Sequence, residues 1–160
     1  MISEKLQNSI NTQINAEMWS SNLYLSMSYY LGHAGFPGCA HWMKKQSAEE
    51  LEHAQRLADY MLSRGEHPKV SAIAAVPEKW DDVNSLFRHA LQHEQHVSEL
   101  INKLYKQALN EEDYATQDML MWFVREQVEE EESVQEIIDK FEHCTCGCCV
   151  MNIDNELAKR

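Results

Sequence analysis

Glycine and proline are scarce in this chain, at 5 and 3 among 160 residues. So few backbone breakers argue against a turn-rich β fold and against disorder; with 44% hydrophobic residues they suit long helices. No apolar run approaches the length of a membrane span. The opening MISEKLQNSI is charged and amphipathic from its first turn and carries no apolar h-region. The expectation is a cytoplasmic protein of one domain, residues 1–160, with no membrane partner. Basic residues are also few: Lys+Arg 14 against Asp+Glu 26 leaves a formal charge of -12. A polyanion of that strength repels nucleic acid and attracts cations. Four of the five cysteines crowd into HCTCGCCV, an odd count too tightly clustered for a secretory disulfide framework.

The few breakers divide the chain. GHAGFPG, Gly32 to Gly38, separates a predicted helix of about residues 5–32 from a second of about 39–65. RGEHPKVSAIAAVPEKW, Arg64 to Trp80, is an extended connection. A third helix is predicted from about Val83 to Leu109; NEED then turns into a fourth that ends near Phe141. The tail VMNIDNELAKR has the pattern of a short fifth helix over about 150–160, after a Cys-rich loop at 143–149. Helices of about 27 residues are roughly 40 Å long. A connection of about 17 residues reaches some 55 Å, enough to run the length of a bundle. Two short turns and one long crossover give two antiparallel hairpins, the ferritin-like plan among all-α four-helix bundles; a plain up-down bundle has no need of that crossover.

At helical spacing the buried stripes read Leu6, Ile10, Ile14, Glu17, Ser21, Tyr24; Met43, Gln46, Glu50, His53, Leu57, Met61; Phe87, Ala90, Glu94, Val97, Ile101, Leu104; and Leu120, Phe123, Gln127, Glu130, Val134, Ile137, Phe141. Each is apolar at both ends and polar in the middle. Glu17 lies about sixteen residues before the first turn and Glu50 about twelve after it; Glu94 lies about sixteen before the second hairpin turn, and Gln127 and Glu130 about fourteen and seventeen after it. With the turns at opposite ends, all meet near mid-height. Buried carboxylates without compensation repel one another or take up protons; cations remove both problems. Oxygen-rich ligands with one imidazole suit iron, manganese or zinc, and Glu50 shared between two ions makes a pair. Glu50-x-x-His53 puts both donors on one helical face.

These residues and the crossover closely resemble the bacterial non-haem ferritins. The likeness is carried by NAEMWSSNLYL (Asn15 to Leu25), AEELEHAQRLADYM (Ala48 to Met61), Glu94 and MWFVREQVEEEE (Met121 to Glu132). The resemblance implies that Glu17, Glu50 and His53 hold a first iron, that Glu94 and Glu130 hold a second with Glu50 bridging, and that Gln127 lines the site. It implies a third iron position near an inner surface at Glu49, Glu126, Glu129 and Glu130, and a tyrosine beside the pair at Tyr24. Members of the family build a hollow shell of twenty-four copies, oxidise Fe(II) with dioxygen or peroxide, and store the ferric mineral inside. Haem is not expected. The haem-binding relatives have a second Glu-x-x-His on helix four and a methionine after the bridging glutamate, where this chain has Gln127-x-x-Glu130 and Leu51.

Other functions remain open at this point: a non-storage diiron enzyme of rubrerythrin-like peroxidase type, although the two separated CxxC pairs of a rubredoxin-like domain are missing, and a helical interaction protein that binds nothing redox-active. Two features lie outside the resemblance. Cys144, Cys146, Cys148 and Cys149, with His143, could bind Zn, Cu(I) or an iron–sulfur cluster, or be a loop of reduced thiols. His89, His93 and His96 share one face of helix three, a spacing found in metal sites and more often on lightly packed faces.

Overall fold

The computed structural model describes residues 1–160 and contains five helices and no strand. These are α1 (Glu4–His33), α2 (Pro37–Ser63), α3 (Val83–Asn110), α4 (Tyr114–Glu142) and α5 (Gly147–Leu157). The four long helices fall within about two residues of their expected ends. α5 starts at Gly147 rather than near 150, so Gly147, Cys148 and Cys149 open a helix instead of belonging to a loop.

Local chemistry sets the helix starts. The Ser3 hydroxyl accepts from the amide of Leu6 at 3.0 Å. Asp82 and Ser85 form a reciprocal capping box at α3, and Asp113 accepts from the amide of Thr116 at α4. α2 begins with Pro37 and has no cap from its own sequence. Its first amides are satisfied from α5, where buried Asp154 accepts from Gly38 at 3.1 Å and from Cys39 at 2.8 Å. Gly38 is required by that contact: a Cβ there would sit 1.7 Å from the Asp154 carbonyl oxygen.

The crossover lies along α1. Asn11 Oδ1 accepts from the Lys69 amide, and Asn15, Trp19, Ser26 and Tyr30 donate in order to the carbonyls of Ala72, Ala75, Pro77 and Trp80. These ties follow one face of α1 from near its start to near its end. They return the chain to the other end of the bundle, and so α3 runs antiparallel to α1 and places its turn into α4 opposite the α1–α2 turn.

The apolar core is two clusters. One is built around Tyr24, Met27, Trp42, Met43, Phe87 and Phe141, with Ile153 and Leu157 of α5 packed onto it. The other is built around Leu6, Ile10, Leu57, Met61, Ile101 and Phe123. Between them lies a layer of buried polar side chains contributed by all four long helices.

Candidate metal centre

Every residue placed in the four sequence stripes is buried. In the middle layer Glu17, Glu50 and Glu94 are at most 2% exposed, and His53, Gln127 and Glu130 are 5% exposed. Ligating atoms of Glu17, Glu50 and His53 all lie within 4.8 Å of one another. A second group meeting the same limit is His53, Glu126 and Glu130.

Three glutamine amides and one phenol hold the carboxylates. Gln13 donates to Glu17 Oε1 at 2.8 Å. Gln46 donates to Glu130 Oε2 at 2.6 Å and reaches Glu50 Oε1 at 3.4 Å. Gln127 donates to Glu94 Oε2 at 3.1 Å, and the Tyr24 hydroxyl donates to Glu94 Oε1. His53 Nδ1 lies 3.3 Å from Glu50 Oε2, its ring packed edge-on against Trp122 and Phe123. Glu17 Oε2 is buried with no partner at all. A buried carboxylate oxygen without a hydrogen-bond donor, beside Glu50 and His53, fits a positively charged ligand.

Electrostatics give the same account. Burial, then the neighbouring Glu50, pushes the Glu17 carboxyl up to about 8. Glu94 is raised to about 7 by burial, against the hydrogen bonds from Tyr24 and Gln127. Glu130 is raised to about 7 by burial and then by Glu94. Glu50 is raised well above the carboxylate range by burial and by both Glu94 and Glu130. Glu50 thus interacts with the Glu17 side of the layer and with the Glu94–Glu130 side.

Of the four residues at the expected third position, the structure brings Glu126 and Glu130 together beside His53. Glu129 is exposed and Glu49 half-buried, and Glu49 Oε2 accepts from the Arg160 guanidinium at 2.5 Å, which also covers the Trp42 ring. The histidine row does not converge. His89 accepts from the Trp80 indole at 2.9 Å; His93 pairs with the Ser20 hydroxyl at 2.8 Å and is pushed down to about 4, chiefly by burial; His96 is exposed. Gln13 and Gln46 were not marked as site residues from sequence. Each stands four residues before a buried glutamate, Glu17 or Glu50, and that repeated Gln–Glu spacing was the available signal.

Four long helices with one crossover, packing carboxylates and an imidazole into a single layer, form the architecture of the ferritin-like carboxylate bundles. Comparison with known proteins agrees. The model of the ferritin-like domain matches residues 7–144. The bacterial non-heme ferritin of Bacteroides fragilis (strain 638R) is 54% identical over 160 residues, covering 100% of both chains. That of Escherichia coli O6:H1 is 34% identical over 140 residues, covering 88% of this chain and 85% of its own. Among solved structures, the open pore ferritin of the archaeon Archaeoglobus fulgidus superposes with a TM-score of 0.98 at 39% identity, covering 100% of this chain and 99% of that one. The chain belongs to the ferritin family.

Proposed function

We propose that this chain stores iron, oxidising Fe(II) to Fe(III) at the buried carboxylate layer and depositing the ferric product inside a shell built from twenty-four copies of itself. The observation that carries this reading is the burial of four carboxylates in one layer, with one oxygen of Glu17 unpartnered. Two divalent ions bring four positive charges to four carboxylates, so occupation neutralises the layer and offsets the burial and mutual repulsion that raise its carboxyl groups.

Glu17, Glu50 and His53 receive one Fe(II), and Glu94 and Glu130 a second, with Glu50 between them. Each Fe(II) gives up one electron. The pair therefore supplies the two electrons that, with two protons, reduce dioxygen to hydrogen peroxide or peroxide to water. Carboxylates hold hard Fe(III) more strongly than Fe(II), which favours the oxidised product. Gln46 and Gln127 keep Glu130 and Glu94 aimed inward, and Tyr24, held against Glu94, is placed to give a further electron. Glu126, within ligating reach of His53 and Glu130, offers the product its next oxygen ligand, and Glu129 and Glu49 complete that third position. The -12 charge concentrates cations around the assembly. The protein holds no haem.

The test is anaerobic addition of Fe(II) followed by air, with oxidation followed by absorbance and iron per particle measured after a sizing column. The reading requires oxidation much faster than in protein-free buffer and hundreds of irons retained in a large particle, both lost in Glu50→Ala. Retention of only about two irons per chain would instead mean a diiron enzyme without a store.

A further inference from the structure

Four of the five cysteines lie in residues 144–149, and the structure sorts them into two pairs. Cys144 and Cys149 form a disulfide, their Cα atoms 5.5 Å apart, closing a loop around the other two. Cys146 and Cys148 remain thiols, both exposed, with Sγ atoms 3.4 Å apart across Gly147. Cys146 is the N-cap residue of α5, and Cys148 lies in its first turn. Neither thiol is used by the fold: the buried residues of α5 are Ile153, Asp154 and Leu157. The amide of Cys149 and then the Cys148 thiol hold the Cys146 thiol below its ordinary range.

We propose that Cys146 and Cys148 form a two-thiolate chelate for one thiophilic divalent cation of the zinc class, separate from the carboxylate layer. At a zinc–sulfur length of about 2.3 Å, tetrahedral geometry sets two sulfurs about 3.8 Å apart. The observed 3.4 Å needs only a few tenths of an ångström of widening, available by rotation of two exposed side chains. The disulfide withdraws Cys144 and Cys149 from competition and keeps the loop closed, so little freedom remains to be lost on binding. Binding is not redox chemistry: the cation displaces two thiol protons and forms two metal–sulfur bonds, leaving its other positions to water. Soft sulfur donors separate this site from the oxygen-rich layer, which takes iron.

The test uses the full-length assembled protein with the Cys144–Cys149 disulfide intact, confirmed by counting free thiols. Anaerobic titration with Co(II) should raise a thiolate-to-cobalt charge-transfer band in the near ultraviolet, its final amplitude that of one thiolate-bound cobalt per chain, and Zn(II) should abolish it. Cobalt in the carboxylate layer has no thiolate ligand and adds nothing to that band. Glu50→Ala therefore keeps it, and the result is independent of the iron-storage reading. Cys146→Ser and Cys148→Ser, checked for assembly on a sizing column, should each weaken cobalt binding more than about tenfold. Absence of the band in the wild-type chain, or its persistence in the Cys146→Ser/Cys148→Ser double variant, overturns the proposal. So does a band that forms only after the disulfide is reduced, because the site would then lie on Cys144 and Cys149.

Discussion

Filling the carboxylate layer with divalent cations should expel protons, and the structure sets the size of the effect. Metal ligation needs carboxylates, but burial holds these groups partly as neutral acids. With Glu17 at about 8 and Glu94 and Glu130 at about 7, these three carry about two protons between them at pH 7. Raising the pH to 9 leaves them about a tenth of a proton in total. Glu50, raised further by burial and by Glu94 and Glu130, adds to the release. Zn(II) is the suitable probe because it binds without oxidation. The Cys146→Ser/Cys148→Ser chain removes any contribution from the exposed thiols. Calorimetry in two buffers of different protonation enthalpy measures protons released per chain at saturation. At least about two at pH 7, falling steadily towards pH 9, is the expected outcome. Release of fewer than one proton at pH 7, or release independent of pH, would refute the argument that burial raises these groups in the metal-free protein.

The same groups govern stability. A carboxyl raised in the folded state binds more protons folded than unfolded, so the metal-free protein should lose stability as pH rises from about 5 to about 8. Thermal melts should show Tm falling across that window, with Zn(II) flattening the slope and Glu17→Gln reducing it; a Tm that rises over the window contradicts the account. Tyr24→Phe removes the hydroxyl that donates to Glu94 and the further electron; stopped-flow absorbance should show Fe(II) oxidation slowed severalfold, with assembly and iron binding retained. Asp154→Ala strips the acceptor from the amides of Gly38 and Cys39 and should cost about 1–2 kcal/mol, read as a drop in Tm. Gly38→Ala should be worse, because its Cβ meets a backbone carbonyl that cannot swing aside; a Tm equal to wild type would show that α5 is not docked as described.

The fold and the carboxylate layer were legible because both are written in periodicity. Glu17, Glu50, Glu94, Gln127 and Glu130 interrupt apolar stripes at 3.6-residue spacing and at one height, and turn spacing alone sets that height. The crossover could be read from its length, although the ties from Asn11 to Tyr30 that lay it along α1 could not. What stayed hidden depends on contacts between residues distant in sequence. Nothing local marks Asp154 as the cap of a helix that begins over a hundred residues earlier, or Arg160 as the partner of Glu49. The pairing of Cys144 with Cys149 was hidden for another reason. Four cysteines in six residues admit several pairings, and the backbone entering α5 brings these two together while leaving Cys146 and Cys148 free.

The central claim is that two metal ions share the buried layer through Glu50. Its most direct test is a crystal of the protein grown with Zn(II), with the ions located by anomalous scattering. The account predicts two peaks per chain inside the bundle, one bounded by Glu17, Glu50 and His53 and the other by Glu50, Glu94 and Glu130. Zinc only at surface residues, with the layer empty and its carboxyl groups hydrogen-bonded to one another, would contradict it.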